Sequence, residues 1–463
     1  MLSLLLAAAL LGAPDDPPPL TAGVAEVEIT PPESYRRLGG YFKDRFWTEV
    51  RDPLYTRALV LSQGTVSLLL VTTDLCGIPA GITGPARQEI SKRTGIPAEA
   101  ISVTASHTHT GPYLNRGLGA SEGKGDASEA EYAALLRERL VACATKAFEA
   151  RRASVLRAGT TPQAPQVSRN RRNLFKDGQV RSIGPVTRDL PDHDPRNIVE
   201  TAGPIDPDLG LIFVGDPGAD TPRAALTVFA LHCNTVGNTR VGENVVSADY
   251  PGAMARELRK SFGPAFVNLF GAGTCGDINY VDPHTPTVRS HEEIGALLAS
   301  TTIAARPKLA DVDAPRLGVR RSVTELPLRK CTDEEIERSR RDLAPDSKAS
   351  FYARVEALSI LEVHISKKPT YPIEIQAMRV SKDVALVLLP GEIFVELGLE
   401  IRKRSPFRTT IVIELTNDNV PAYIPTRKAC AQAGYEVFHS LLAPGSGEVM
   451  VEEALRLLGE VNR

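Results

Sequence analysis

The sequence predicts an α/β fold, with mixed β-sheets flanked by helices in a single large domain, and three observations carry that expectation. Strand-like apolar runs alternate with amphipathic helical stretches along the chain. No repeat, low-complexity tract or linker interrupts the chain after its first 20 residues. The composition is that of a globular protein: 463 residues, 42% hydrophobic and 24% charged. That balance excludes an intrinsically disordered chain and a multispan membrane protein. Lys+Arg (54) and Asp+Glu (56) nearly cancel to a net charge of −2, so no basic excess argues for nucleic acid. Glycine (36) and proline (35) are slightly more frequent than usual, which points to a site built from loops.

In chain order, residues 1–13 (MLSLLLAAALLGA) form an apolar run of about a dozen residues, shorter than the ~20 that span a bilayer. They read as a signal peptide, and residues 14–20 read as a Pro-rich linker, so the mature domain is 21–463 and periplasmic or secreted. No later stretch stays apolar for 18 residues. Residues 25–30 alternate as a strand, and residues 58–61 and 66–72 form a hairpin-like pair around Gln63-Gly64. A helix over 85–93 and a strand over 100–105 follow. Ser128 with Glu131 reads as a capping box opening a helix whose stripe is Tyr132, Leu135, Leu136, Leu140, Cys143 and Ala147.

Residues 152–159 return as a strand, whereas residues 169–207 are polar, with several Pro and Gly, and read as one long loop. Strands at 209–214 and 224–231 precede a helix that follows Asp249-Tyr250-Pro251 and runs to about Phe262. A strand at 265–270 runs into the Gly-rich loop 271–276, and a helix covers 292–305. Strand 316–328, a helical pair within 332–361, and strands 373–380 and 385–389 lead to a helix starting at Gly391-Glu392. A strand at 410–415 and an amphipathic helix at 449–458 close the chain. The six cysteines (76, 143, 233, 275, 331, 430) contain no C-x-x-C pair, which disfavours a thiolate zinc ribbon and leaves disulfide pairing open.

Five segments carry chemistry. A strand ends in Ser106-His-Thr-His-Thr-Gly-Pro112, and on extended backbone residues i and i+2 share a face, so His107 and His109 can serve one site. Imidazole suits zinc and similar metals. A second apolar strand ends in His232. The loop Gly271–Asp282 offers backbone N–H groups to an oxyanion or anionic group, without the Gly-Lys-Ser/Thr of a P-loop. Glu392 stands between a buried strand and a helix, and Tyr423 lies in the polar turn 417–426. No His-Glu-x-x-His helix or Gly-x-Ser-x-Gly elbow links them. The residues alone stop at an exported α/β protein with a candidate His/carboxylate metal site.

Taken in order, the segments resemble the catalytic domain of the neutral/alkaline non-lysosomal ceramidase family. The resemblance runs from Gly23–Pro31 and Leu38-Gly-Gly-Tyr41 through Thr73–Cys76, Ser106–Pro112 and Asn170-Arg171. It continues through the His232 strand, Ser247-Ala-Asp249, Gly276-Asp277, Pro390-Gly-Glu392 and Tyr423-Ile-Pro-Thr426. It implies a zinc amidase that cleaves N-acyl-sphingosine by metal-activated water. Its zinc ligands fall on His107, His232, Glu392 and Tyr423, a reasonable N/N/O/O set for Zn²⁺. It places His109 as the catalytic general acid and Asp249 on the substrate.

Two departures bear on the substrate. Asn279 replaces an essential serine of the family; asparagine can donate to an oxyanion but cannot be a nucleophile. The family's C-terminal β-sandwich has no counterpart before Arg463. The expectation is therefore an exported zinc amidohydrolase acting on a small-molecule or lipid N-acyl substrate, with Asn279 as an oxyanion donor. The alternatives are an esterase or other acyl hydrolase in the same pocket, and a secreted metal-binding pseudoenzyme.

Overall fold

The structure, a computed structural model, describes residues 18–40, 44–114, 118, 127–185, 187–236, 244–285, 288–420 and 422–463. The signal-peptide reading, most of the linker reading and Tyr41 lie outside the described residues. The expected mixed α/β architecture is present, and three sheets are built on one plan.

In the first sheet, Thr21–Glu28, Tyr55–Gln63 and Val66–Thr73 are antiparallel neighbours. Val66–Thr73 then pairs in parallel with Ile101–Ala105, reached through the helix Ala80–Thr94. In the second, Val155–Pro162, Asp208–Gly215 and Ala224–Phe229 are antiparallel. Ala224–Phe229 pairs in parallel with Val267–Ala272 after the helix Asp249–Phe262. In the third, Pro315–Pro327, Thr370–Ser381 and Val384–Leu388 are antiparallel. Val384–Leu388 pairs in parallel with Thr409–Ile413 after the helix Val395–Arg404. A parallel pair needs a crossover, and here each crossover carries a helix.

The parallel strands are buried along most of their length because both faces are covered. Leu69 and Val103, Leu226 and Leu269, and Leu388 and Ile413 come from the three sheets and share one buried core. The sheets approach closely enough that a Cβ on Gly210 would lie 2.9 Å from the Ile411 side chain. Three residues of the segment 414–417 stitch the sheets together. The Glu414 N–H donates to Ala272 of the second sheet (2.9 Å), the Thr416 N–H to Leu389 beside the third (2.9 Å), and the Asn417 N–H to Val103 of the first (2.7 Å). Leu415 and Asn417 hold left-handed backbone (φ 54° and 62°) to make this turn.

Several local expectations change. Residues 169–207 are not one loop: Arg172–Phe175 pairs with Val180–Ser182 and Ile198–Thr201, and Arg169–Asn170 pairs with Ile278–Asn279. Their strands are two to four residues long, too short for a hydrophobic period to register. The first crossover helix begins five residues before Pro85, where the Ala80 N–H donates to the distant Asp418 carboxylate (3.2 Å). Glu392 does not open a helix. Glu392–Ile393 pairs in parallel with Tyr423–Ile424, and the helix starts at Val395, whose N–H donates to Asp277 (2.9 Å). Ser128 lies inside the helix Ala127–Glu149 rather than capping it. All six cysteines are among the described residues, and none is disulfide-bonded. Among the described residues, no helix is long and apolar enough to cross a membrane.

Candidate metal centre

Ligands in open α/β sheets gather outside the carboxyl ends of the strands, and the chemistry-bearing residues collect there. His107 follows Ile101–Ala105, His232 follows Ala224–Phe229, Glu392 follows Val384–Leu388, and Tyr423 lies beyond Thr409–Ile413. All four are buried.

Each ring is held from behind. His107 Nδ1 lies 2.7 Å from the Cys76 carbonyl oxygen and His232 Nδ1 lies 2.8 Å from that of Cys275. A carbonyl only accepts, so in both rings Nδ1 carries the proton and donates it. Both Nε2 atoms then face one carboxylate oxygen: Glu392 Oε2 is 3.4 Å from His107 Nε2 and 3.3 Å from His232 Nε2. That oxygen is buried and accepts no well-formed hydrogen bond. Ligand atoms of His107, His232 and Glu392 lie within 4.8 Å of one another. Two imidazoles locked in the ligating tautomer around an orphaned carboxylate oxygen fit a divalent cation with N/O preference. Tyr423 Oη is 3.5 Å from His232 Nε2 and completes the rim. Cys76, His107 and His109 form an overlapping group, but the Nδ1 edge that His107 turns towards Cys76 is already spent on the carbonyl.

Backbone strain serves this arrangement: His107 (φ 73°) and Ala422 (φ 63°), which precedes Tyr423, both hold left-handed backbone. Electrostatics are coupled. Burial opposes a charge on His107, yet the Glu392 carboxylate outweighs it and lifts the imidazole well above its ordinary range, so a proton and a cation compete for the same Nε2. Burial likewise opposes ionisation of Glu392, but His107 and His232 hold it well below the usual carboxylate range. His232 is pushed down to about 4, by burial first and then by Arg171 and His107.

His109 joins the cluster, its Nε2 3.2 Å from His107 Nε2. Burial, followed by His107 and His232, drives its pKa well down, so it is neutral near pH 7. The buried Arg45 guanidinium donates to the His109 and Gly39 carbonyls, and Gly40 packs on His109 so tightly that a Cβ would lie 2.6 Å from the ring.

The other two expected site residues are bonded into their own turns. Asn279 spends its amide on the fold: Nδ2 donates to the Ile183 carbonyl (2.7 Å) and Oδ1 accepts the Val281 N–H (2.9 Å). One Nδ2 hydrogen and the Oδ1 acceptor are thus spent on the turn, and the amide keeps a second N–H. Asp249 accepts from the Thr235, Val236 and Tyr250 N–H groups and from the Thr235 hydroxyl. These bonds brace the turn after His232. Arg171 was given no role by the sequence. Its buried guanidinium lies 5.3 Å from the Tyr423 ring and is fixed by Glu436 (2.7 Å) and the Gly276 carbonyl (2.7 Å). Burial raises the Tyr423 phenol well above its ordinary range, and Arg171 pulls against that shift.

No protein-family model matches the sequence, and no curated protein matches it. Solved structures do match. A neutral ceramidase from Pseudomonas aeruginosa superimposes with a TM-score of 0.71 at 17% identity, over 96% of this chain and 75% of that one. The chain has the neutral ceramidase fold. A ceramidase complexed with C2 gives a TM-score of 0.70 at 16% identity, over 95% of this chain and 75% of that one. Within this ceramidase fold, the His107–His232–Glu392 cluster sits at the junction of the three sheets.

Proposed function

We propose that this chain is an exported zinc-dependent amidohydrolase that cleaves a linear N-acyl bond of a lipid or small molecule. The observation that carries the reading is the buried Glu392 Oε2 facing two imidazole Nε2 atoms in a fold shared with ceramidases. His107, His232, Glu392 and Tyr423 would hold the ion. When bound, zinc would supply Lewis acidity, polarising a carbonyl and acidifying water towards neutral pH.

The chain's own residues do the rest. His109, neutral at pH 7 with its Nε2 3.2 Å from His107 Nε2, takes a proton from the attacking water and returns it to the leaving nitrogen as the carbon–nitrogen bond breaks. Tyr423 Oη and the Arg171 charge behind its ring favour negative charge developing on the carbonyl oxygen. Asp249 braces the turn after His232, and Asn279 ties Ile183 to Val281.

A second reading, a metal-binding protein without turnover, is favoured by Asn279 standing where the resembling family has a serine. A panel of N-acyl amines and matched esters, offered to zinc-replete protein, separates the readings. Amide cleavage that disappears in His107→Ala is the expected result. Cleavage of esters alone would make it an acyl hydrolase of another kind. Stoichiometric zinc with no turnover would make it a binding protein.

A further inference from the structure

Glu414 is a fully buried carboxylate that the proposed chemistry does not use. Its Oε2 accepts two backbone N–H groups, from Ile393 (2.7 Å) and from Cys275 (3.1 Å), while Oε1 accepts from the Cys275 thiol (3.0 Å). Both N–H donors belong to ligand-bearing backbone. Ile393 is the neighbour of Glu392, and Cys275 supplies the carbonyl that orients His232. The Glu414 backbone reaches the third ligand segment: its carbonyl accepts the Thr104 hydroxyl (2.8 Å), three residues before His107. Its N–H donates to Ala272, at the start of the Cys275 loop (2.9 Å). One residue therefore contacts all three segments that bring His107, His232 and Glu392 together.

We infer that Glu414 is the positioning residue of the metal centre, fixing the spacing of His232 and Glu392 by accepting the Cys275 and Ile393 N–H groups on one oxygen. The physical reason is that a ligand set gathered from three sheets has no local turn to fix its spacing. An acceptor shared between two of the segments can supply that constraint. Partners that orient ligands from outside the coordination sphere are typically worth about 10- to 100-fold in metal affinity. This inference rests on the metal reading above.

The test uses the full mature chain and zinc itself, titrated against a chromophoric chelator, with the melting temperature of the metal-free protein measured alongside. Glu414→Gln keeps a carbonyl oxygen for both N–H groups and is expected within about threefold of wild-type zinc affinity. Glu414→Leu leaves both donors orphaned, and Glu414→Asp, one methylene shorter, cannot reach both. Each is expected to weaken zinc about 10- to 100-fold while remaining folded. Rescue by glutamine is the readout that general destabilisation would not produce. Wild-type affinity in a folded Leu or Asp variant would overturn the inference. So would equal loss in Gln and Leu, which would make charge, and not the shared acceptor, the working element. If the Leu variant does not fold, the Asp and Gln pair decides on the same terms. Wild-type protein without zinc, or His232→Ala with unchanged zinc, would remove the metal reading. Affinities that are normal in wild type and unmoved in the Glu414 variants would remove this inference alone.

Discussion

Two carbonyl oxygens, from Cys76 and Cys275, decide the chemistry of the centre at the level of single residues, because they fix which nitrogen of each histidine is available. Wild-type protein is expected to hold about one zinc per chain, and His232→Ala to lose it, as read by elemental analysis. For Asn279, whose amide braces the turn through Ile183 and Val281, Ala substitution should cost ~1–3 kcal/mol of stability and leave kcat within a few-fold. A fall in kcat of ~10²–10³ at unchanged Tm would instead mark it as an oxyanion donor. Asp277 provides a pH signature. Burial pushes its carboxyl up to about 6 against the Val395 and Asn170 donors, from an ordinary 3.8. Between those values the folded state keeps a proton that the unfolded state has released, so this group's contribution to stability falls as pH rises through the window. The loss is at most ~3 kcal/mol. Melting temperatures from pH 4 to 7 should show that slope in wild type and a flatter one in Asp277→Asn.

The elements that matter most are the connections leaving the parallel strands, where a helical crossover and a ligand loop share a few residues. Gly276 lies so close to the Glu392 segment that a Cβ would sit 2.6 Å from the Glu392 carbonyl oxygen, while its own N–H donates to Ile393 (2.8 Å). Gly276→Ala should therefore displace the strand carrying Glu392. We expect ~1–3 kcal/mol of lost stability and weaker zinc binding, measured by melting and by chelator competition. The strands bearing these loops were legible because they are five or more residues long, as an alternating stretch at Ile101–Ala105 and an apolar run at Val384–Leu388. The pairing of Glu392–Ile393 with Tyr423–Ile424 was not, since two residues carry no period and their partner is decided elsewhere in the chain.

For the whole molecule, the controlling feature is the meeting of three sheets at residues 414–417, where backbone from the last sheet bonds to both others. The ligand cluster inherits its geometry from that junction, so core changes there should register in metal affinity as well as in stability. The export expectation also belongs at this scale. Protein recovered outside the cytoplasm should begin after Ala13, as read by N-terminal sequencing, and an intact Met1 in a cytoplasmic fraction would reject it.

Burial patterns and strand lengths are written in local stretches of sequence, so the alternation of elements and the apolar parallel strands could be read directly. His107 and His109 stood out for the same reason, as a close pair at a strand end. Their connection to His232, Glu392 and Tyr423 came from resemblance to a family and not from any spacing. What required three-dimensional packing was the assembly: which nitrogen each histidine presents, the orphaned oxygen of Glu392, the roles of Arg171 and Glu414, and the service of Asn279 and Asp249 to their own loops. These depend on hydrogen bonds between residues far apart in the chain, and such bonds leave no periodic trace in the segments that make them.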